Sequence, residues 1–255
     1  MGYFGLKTNL SSSFSISLLS ILIALLSWEF LVRVGIIPAL FLPPPSHVIL
    51  ALVEMVYSGE LWPHLMASLK RIALGLFFGV SLGWITGIFT GILRPFESAL
   101  GPILACIYPV PKIAILPLLI LYLGLGESPK VCVIAIGVFF PIYINTKTGV
   151  KNIDEQLLLA ARSLCKNKLS LILKVIIPAS LPHFLSGLKL STGISLLLLV
   201  TSEMIAANSG IGYMILRAAD LMLTTKLIAG IVILSILGLI FSYAIELMGR
   251  LLNIK

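Results

Sequence analysis

The sequence predicts an all-α membrane protein with about six transmembrane helices. Of its 255 residues, 59% are hydrophobic and only 11% are charged, and the mean hydropathy is +1.12. Soluble domains carry about 25% charged residues, so this composition indicates a protein that lies in the lipid bilayer. A membrane helix needs about 20 apolar residues, which leaves room for five or six such helices and for no separate soluble domain.

Six hydrophobic stretches predict the six spans, and a polar segment, residues 151–182, separates the fourth span from the fifth. We therefore divide the chain into a first transmembrane helix (1–35), an outer loop with an interfacial helix (36–65) and a core (66–255). Pro117 lies inside the third span, which predicts that this span borders a pathway, because irregular backbone is not tolerated against lipid. The predicted spans are residues 14–34, 66–93, 109–125, 130–149, 184–206 and 227–249.

Lysine and arginine lie mainly at the ends of the spans, so the net charge of +8 predicts membrane orientation rather than nucleic-acid binding. With the N-terminus in the cytoplasm, the inner loops hold most of these cations, including Lys7 and Lys255. Both termini and the polar segment are therefore expected on the cytoplasmic side of the inner membrane. The outer connections then hold a smaller set: Arg33, Lys70, Arg71, Lys130, Arg217 and Lys226.

Prolines predict where several helices begin and end. Pro43–Pro45 predict an extended connection after the first span, and Ser46 is then expected to cap a short helix that ends near Tyr57. Pro178 and Pro182 are expected to interrupt the helix and to turn the chain back toward the membrane.

Five glycines recur at every fourth residue along the second span. In lipid, small residues at this spacing allow a neighbouring backbone to approach closely. The pattern predicts a helix-packing face, and a dimer seam or a moving joint is the functional alternative. The glycines are Gly75, Gly79, Gly83, Gly87 and Gly91.

The polar segment predicts a short amphipathic helix. Asp154 and Glu155 suit its N-terminus, and the small Ala160 would allow the helix to enter a groove. A docking surface for a cytoplasmic motor and a helix that lies on lipid headgroups both fit this pattern. The expected apolar stripe comprises Leu157, Leu158, Ala161, Leu164 and Cys165, and the basic residues outside it are Arg162, Lys166 and Lys168.

A few polar residues within or beside the spans are candidates for the transport path. Glu203 is expected either to form part of an outer gate or to make a hydrogen bond to a neighbouring helix. Lys112 and Lys189 are expected either to attract an anionic solute or to extend toward the headgroups. Asn208 and Ser209 belong to a loop that would line an anion path, contact an external partner or form a plain turn.

No pattern in the sequence predicts a metal site, a cofactor or an enzyme. Cys106, Cys132 and Cys165 are isolated, and no phosphate-binding loop occurs, so this chain itself is not expected to bind ATP. A nucleophile with its base and orienting group cannot be assembled. The alternative from another class is a proton-driven secondary transporter, which should carry several intramembrane carboxylates.

The polar segment resembles the EAA loop of binding-protein-dependent ABC importer permeases. The resemblance rests on Leu159–Ala161, Cys165 and Val175–Pro178 at the family's spacing. In that family the loop forms the coupling helix that inserts into the ATPase. Leu159 replaces the family's glutamate, which removes a salt-bridge carboxylate, and Cys165 replaces its glycine at a tight turn. The resemblance implies these docking residues: Asp154, Glu155, Leu158, Leu159, Ala160, Ala161, Arg162, Cys165, Lys166 and Pro178.

Further segments resemble one branch of that family, the nitrate, aliphatic sulfonate, taurine and bicarbonate importer permeases. The resemblance implies the type I ABC importer transmembrane fold, a homodimer, two ABC ATPase subunits and a periplasmic or lipid-tethered solute-binding protein. It implies import of a small anion by alternating access. Sulfonate or taurine is the first choice of solute, and nitrate or bicarbonate is the second. A thiamine precursor or a riboflavin-like solute is the alternative. The segments are Leu42–Ser46, His64–Arg71, Pro111–Pro117, Gly124–Glu127 and Ala206–Tyr213.

Overall fold

The regular secondary structure is helical throughout the part of the chain that the structure describes, which confirms the predicted all-α class. The computed structural model describes residues 10–251, so Lys7 and Lys255 of the charge analysis lie outside the described residues. A 3-10 turn (Lys112–Ile115) and a π turn (Ile172–Ile176) accompany the α-helices. The α-helices are α1 (Leu10–Arg33), α2 (Pro45–Tyr57), α3 (Leu61–Ile92), α4 (Arg94–Ile107), α5 (Leu116–Leu123), α6 (Ser128–Lys151), α7 (Glu155–Leu164), α8 (Lys168–Leu171), α9 (Ile177–Ala206), α10 (Ile211–Asp220) and α11 (Thr224–Leu251).

Five helical segments among the described residues are long and apolar enough to cross a membrane. They are α1, α3, α6, α11 and the continuous segment Lys168–Ala206, which contains α8, the π turn and α9. A sixth span is available if α4 and the segment Lys112–Leu123 count as one broken span. The prediction of about six spans is therefore confirmed.

The third span differs from its predicted form. Instead of one short helix over residues 109–125, the chain forms α4 and then a second helical segment that is bent from it by 89°. Pro109 and Pro111 each disfavour helix in the preceding residue, so α4 ends at Ile107 and the next helical segment begins at Lys112. Pro117 lies in the second half of this broken span, in the first turn of α5, where its missing N–H costs no hydrogen bond.

Pro178 and Pro182 do not interrupt the helix, so this part of the prediction is wrong. The helix α9 runs through Pro182 to Ala206 and follows directly from the π turn over residues 172–176. In a π turn each backbone hydrogen bond joins residues five apart instead of four, so the hydrogen-bond register shifts by one residue. This shift accommodates Pro178 at the start of the next helix. The polar segment therefore continues into the fifth span without a break.

The described residues form two compact units, of which the smaller comprises residues 10–61 and 217–229. Within it, Glu29 joins α1 to α2 by accepting hydrogen bonds from the backbone N–H (3.0 Å) and hydroxyl (2.8 Å) of Ser46. Glu29 also forms a 2.6 Å ion pair with Arg33. Ser46 is therefore not the predicted N-cap, because Pro45 already occupies the first position of α2.

The larger unit comprises residues 62–216 and 230–251, and the glycine stripe of α3 lies against α6 within it. A Cβ atom at Gly83 would lie 2.7 Å from the Phe139 carbonyl oxygen and 2.9 Å from Cβ of Ile142. The other glycines of the stripe make equally close approaches to α6, so the two backbones lie nearly in contact. The residues of α6 that face the five glycines are Ile134, Val138, Ile142, Thr146 and Val150.

The helix α9 packs antiparallel against α6 through further small residues. Gly187 lies against Pro141, and the Ser191 hydroxyl donates to the Val138 carbonyl at 3.3 Å. Gly137 of α6 contributes a matching small position, where an added Cβ would meet side chains of α9. The helix α6 is thus held by α3 and by α9 at backbone-to-backbone distance.

We expect Gly83→Ala to destabilise the protein by about 1–3 kcal/mol, because the added methyl group overlaps the backbone of α6. Gly101→Ala is the matched control, since a Cβ atom on this α4 glycine meets nothing within 4 Å. The measurement is the melting temperature of a GFP-tagged protein in detergent by fluorescence-detected size exclusion. Equal melting temperatures for the two variants would contradict the close α3–α6 packing.

Candidate functional site

The helix α7 forms in the polar segment and begins at Asp154, as predicted. The Asp154 carboxylate accepts hydrogen bonds from the backbone N–H groups of Gln156 (2.6 Å) and Leu157 (3.3 Å), and Glu155 lies in the first turn. Cys165 ends the helix with extended backbone (φ −84°, ψ 128°). Any residue adopts this conformation without strain, so no glycine is required at this position.

The predicted apolar stripe of α7 forms, and only one edge of it is covered. Ala161 is buried and Leu158 is half-buried, whereas Leu157 and Leu164 are exposed, the last by 85%. At about 100° per residue, Leu157 and Leu164 lie at one edge of a stripe about 120° wide, Ala161 lies in its middle and Leu158 at its other edge. One edge of the stripe therefore contacts the protein, and the other leaves leucines uncovered.

The inner face of α7 rests on a hydrophobic cluster at the ends of the spans. Ile88 of α3, Val150 of α6 and Ile176 form the buried centre of this cluster, and Leu158 packs against it. A cavity of about 530 Å³ lies at the same place. The other predicted docking residues are exposed, except for the half-buried Cys165: Asp154, Glu155, Leu159, Ala160, Arg162, Lys166 and Pro178.

A group of buried charges lies at the end of α6 opposite to α7. Arg71 of α3 is 2% exposed, and its Nη1 atom lies 2.7 Å from Oε1 of the fully buried Glu203 of α9. Arg71 also donates to both carboxylate oxygens of Glu127, at 2.6 and 2.8 Å, immediately before α6. A guanidinium group can serve two carboxylates because its planar donors point in fixed directions. We call Arg71, Glu127, Lys130 and Glu203 the ionic cluster.

The segment between α9 and α10 closes over the ionic cluster. Glu203 accepts hydrogen bonds from the Ser68 hydroxyl (2.8 Å) and the Gly212 N–H (2.8 Å). The Ser68 hydroxyl in turn accepts the Ile211 N–H at 2.9 Å. The guanidinium group also donates to the Ser209 carbonyl at 2.6 Å. The buried carboxylate is therefore satisfied by donors from α3 and from the first turn of α10.

Gly210 is required by this arrangement. Its φ of +126° is unfavourable for other residues, and a Cβ atom there would collide with the Glu203 carboxylate. The Gly210 N–H also donates to Nδ1 of His64 at 3.1 Å. The glycine therefore allows the backbone of this loop to lie directly on the buried acid.

Lys130 completes the charge balance of the ionic cluster. It is 2% exposed, donates to the carbonyls of Gly126 (2.8 Å) and Ala206 (3.0 Å), and lies 3.7 Å from Glu127. Two cations and two carboxylates leave the cluster with no net charge. Glu127 lies outside the spans, and its hydrogen bonds from the guanidinium group lower the pKa of its half-exposed carboxyl.

Only part of this cluster is predictable from the sequence. Glu203 was expected at a gate or in a hydrogen bond between helices, and it does bond to α3. Arg71 and Lys130 were assigned to outer connections, which is wrong, because both are buried within helices. A charged side chain within a span needs a partner of opposite charge, because an unpaired charge is costly in lipid. An arginine in one predicted span and a glutamate in another are therefore the feature of the sequence that could have predicted this ion pair.

Lys112 stabilises the break in the third span. Its ammonium group donates to the carbonyls of Ile107 (3.1 Å), Tyr108 (2.7 Å) and Val110 (2.7 Å), and it lies 4.4 Å from the centre of the Phe140 ring. An ammonium group has three N–H donors, and all three are used here. Lys112 therefore caps the end of α4 and has no free donor for a solute.

The remaining path candidates are not brought together. Ser209 contributes its carbonyl to the ionic cluster, whereas Asn208 is exposed. Lys189 is exposed on α9.

A separate cavity of about 840 Å³ lies between α3 and α6, and it is lined mainly by apolar residues such as Phe78 and Phe139. Lys70, Glu127 and Ser128 supply the polar side chains of this lining, and its remaining residues offer a hydrated anion no hydrogen-bond partner.

Over residues 79–253, the sequence matches the family described as "Binding-protein-dependent transport system inner membrane component". The chain belongs to this family. The permease is 40% identical to a Bacillus subtilis permease named for aliphatic sulfonates transport (SsuC), over 88% of this chain and 81% of the relative. It is 33% identical to the taurine transport system permease TauC of Escherichia coli, over 96% and 90% of the two chains.

Solved ABC transporter structures share the fold of the permease. A chain of the inward-facing MetNI methionine ABC transporter matches with a TM-score of 0.63 at 20% identity, over 73% of this chain and 93% of that chain. A chain of an amino acid ABC transporter with histidines matches with a TM-score of 0.58 at 20% identity, over 78% and 97%. The protein is a multi-pass permease subunit of an ABC importer that acts with an ATPase and a solute-binding protein, and it is not itself an enzyme.

We expect Arg71→Met to destabilise the permease by about 3–5 kcal/mol, because Glu203 then stays buried without its cation. The melting temperature of the GFP-tagged protein in detergent measures this loss. Arg250→Met removes an exposed ion pair with Glu246 (2.7 Å) and should leave the melting temperature unchanged. The double variant Arg71→Met/Glu203→Gln should recover part of the loss. If Arg71→Met melts like Arg250→Met, the ionic cluster has no structural role.

Proposed function

We propose that this permease imports a small sulfonate, with taurine among its solutes, by alternating access. Its identity to permeases named for aliphatic sulfonates and for taurine, over most of the chain, is the observation that carries the proposal. Two copies of the permease enclose one path, two ATPase subunits bind on the cytoplasmic side, and a periplasmic or tethered binding protein delivers the solute. The cation distribution favours cytoplasmic termini in the inner membrane.

The outer face of α7 is the ATPase-docking surface in this proposal. Leu157 and Leu164 are two turns apart on this face and are 48% and 85% exposed, and a partner is needed to remove such leucines from water. A helix that lies on lipid would instead turn its apolar face to the membrane. The apolar inner face of α7 already packs on Val150 and Ile176, which favours docking over lipid binding. Leu159 then makes an apolar contact in place of the family's salt bridge.

Movement of α7 reaches the spans through the hydrophobic cluster beneath it. Ile88, Val150 and Ile176 connect α7 to the ends of α3, α6 and the fifth span. Close packing transmits such a displacement because the interior is nearly incompressible. When nucleotide closes the ATPase pair, α7 therefore displaces these helices together.

The ionic cluster closes the outer end of the same helices. It joins α3, α6 and α9 through the contacts of Arg71 with Glu127 and Glu203. The glycine stripe and the α6–α9 packing already hold these helices at backbone distance. The three helices therefore rock as one body between inward-facing and outward-facing states, and Glu203 keeps the outer end of that body closed.

The alternatives have weaker support. A proton-driven mechanism conflicts with membership of the ABC importer permeases, and the buried Glu203 carboxylate is already bound by Arg71 and Ser68. Nitrate and bicarbonate are anions that the same path would suit, but the relatives reported above are named for sulfonates and taurine. No contact among the described residues favours a vitamin precursor.

We expect Leu164→Glu to reduce the recovery of the ATPase with the permease more than tenfold, because it places a charge on the exposed apolar surface of α7. Leu159→Glu is the matched control on the same helix: it introduces the glutamate of the related EAA loops and should preserve the complex. Copurification from detergent measures both. Ala161 is unsuitable for this test because it is buried within the permease. Equal recovery with both variants would exclude α7 as the docking surface.

Solute identity is testable with the complete transporter in proteoliposomes. We expect ATP-dependent uptake of ethanesulfonate and taurine when the binding protein is present, and competition between the two, because both carry a sulfonate group. Riboflavin should neither be taken up nor compete. Uptake of riboflavin without uptake of either sulfonate would reject the proposed solute class while leaving the ABC permease assignment intact.

A further inference from the structure

The register between α6 and α9 places Lys189 level with the middle of α6. Gly187 lies against Pro141, and Ser191 donates to the Val138 carbonyl, so the level of Lys189 falls between these two contacts. Lys189 lies about 160° round α9 from Gly187 and Ser191, on the face that points away from α6. At roughly 1.5 Å per residue, this level is about 17 Å from either end of α6. The hydrocarbon core of a bilayer is about 30 Å thick, so Lys189 lies near the centre of the membrane.

The charge of Lys189 is not compensated by the protein. Within residues 10–251, Lys189 makes no hydrogen bond or ion pair, and its side chain is exposed. Arg71, Lys112 and Lys130 behave differently, because each of them donates to at least two acceptors. An uncompensated ammonium group at this depth is strongly unfavourable against lipid. Lys189 therefore requires water, a lipid headgroup or a bound anion as the partner of its charge.

The surroundings of Lys189 on α9 provide space. Ser186 and Gly193 lie three residues before and four residues after it on the same face, and both are exposed. A Cβ atom at Gly193 would meet no atom within 4 Å. Gly193 also lines a cavity of about 380 Å³ together with Pro111 and Lys112, at the break of the third span. The face that carries Lys189 thus borders an open volume at middle depth.

We propose that Lys189 binds the anionic group of the solute halfway through the membrane. This inference rests on the proposed import of sulfonates, and it assigns the group that holds them in transit. The ammonium group supplies the charge, and the space beside Gly193 accommodates the organic part of the solute. Lys112 does not share this role because its three donors cap α4. A single flexible ammonium group binds an anion less rigidly than an arginine fork, which suits a site that must release its solute.

Cysteine modification tests whether Lys189 faces water. Lys189→Cys is introduced after Cys106, Cys132 and Cys165 have been replaced by serine, and the complete transporter is reconstituted. We expect a methanethiosulfonate reagent with an ammonium group to label the introduced thiol and to restore uptake of ethanesulfonate. A reagent with a sulfonate group should label the thiol without restoring uptake. A thiol that neither reagent labels would show that this position faces lipid and would overturn the proposal.

Kinetics test whether the charge of Lys189 serves the solute. We expect Lys189→Met to lower ATP-driven uptake of ethanesulfonate at least tenfold, mainly through a higher KM, and Lys189→Arg to retain at least a third. Lys70→Met is the matched control, since Lys70 is an exposed lysine of α3 outside the ionic cluster. The ATPase should copurify equally with all of these variants, which separates a transport defect from a folding or docking defect.

The outcomes distinguish this inference from the proposed function. If the wild-type transporter takes up no sulfonate, the proposed solute class fails, and the role of Lys189 fails with it. If the wild type takes up ethanesulfonate and Lys189→Met does so with the same KM and rate, only the role of Lys189 fails. A loss of uptake in Lys189→Met that Lys189→Arg reverses supports the charge-dependent role.

Discussion

Arg71 carries a permanent positive charge inside an apolar helix, and the surrounding helices are arranged to compensate it. Its guanidinium group reaches Glu203 on α9, Glu127 before α6 and the backbone of Ser209. Each of these groups would be costly to bury alone, so they are stable only when all are present. The position of the α9–α10 loop and the need for glycine at residue 210 follow from this requirement.

The helix α6 connects the two ends of the permease core. The ionic cluster lies at its first turn, and α7 follows its last residue after a short link. Between these ends, glycines of α3 and small residues of α9 allow both helices to lie at backbone distance from α6. A helix packed in this way cannot bend or slide independently. Displacement at α7 therefore reaches the outer end of the core as a movement of the three helices together.

Three lysines within the spanning segments show that position alone does not define a transport site. Lys130 is buried and bonded to two carbonyls, and Lys112 uses all its donors to close the end of α4. Lys189 alone among these three is exposed and has no partner in the described part of the chain. The membrane is a poor solvent for charge, so the partner that each ammonium group has or lacks indicates its role.

The sequence by itself determined the all-α class, the number of spans, the cap of α7 at Asp154 and the small-residue face of α3. These features depend on hydrophobic period, local capping and residue size, which are readable within one segment. Only the tertiary structure decided that Arg71 pairs with Glu203, that only one edge of the apolar stripe of α7 is covered, and that α9 passes through Pro182. The pairing of distant charges depends on which helices are neighbours, and the passage through the prolines depends on a π turn. Neither the ion pair nor the passage through the prolines is encoded in a local sequence pattern. Both form because they lower the free energy of the assembled helices.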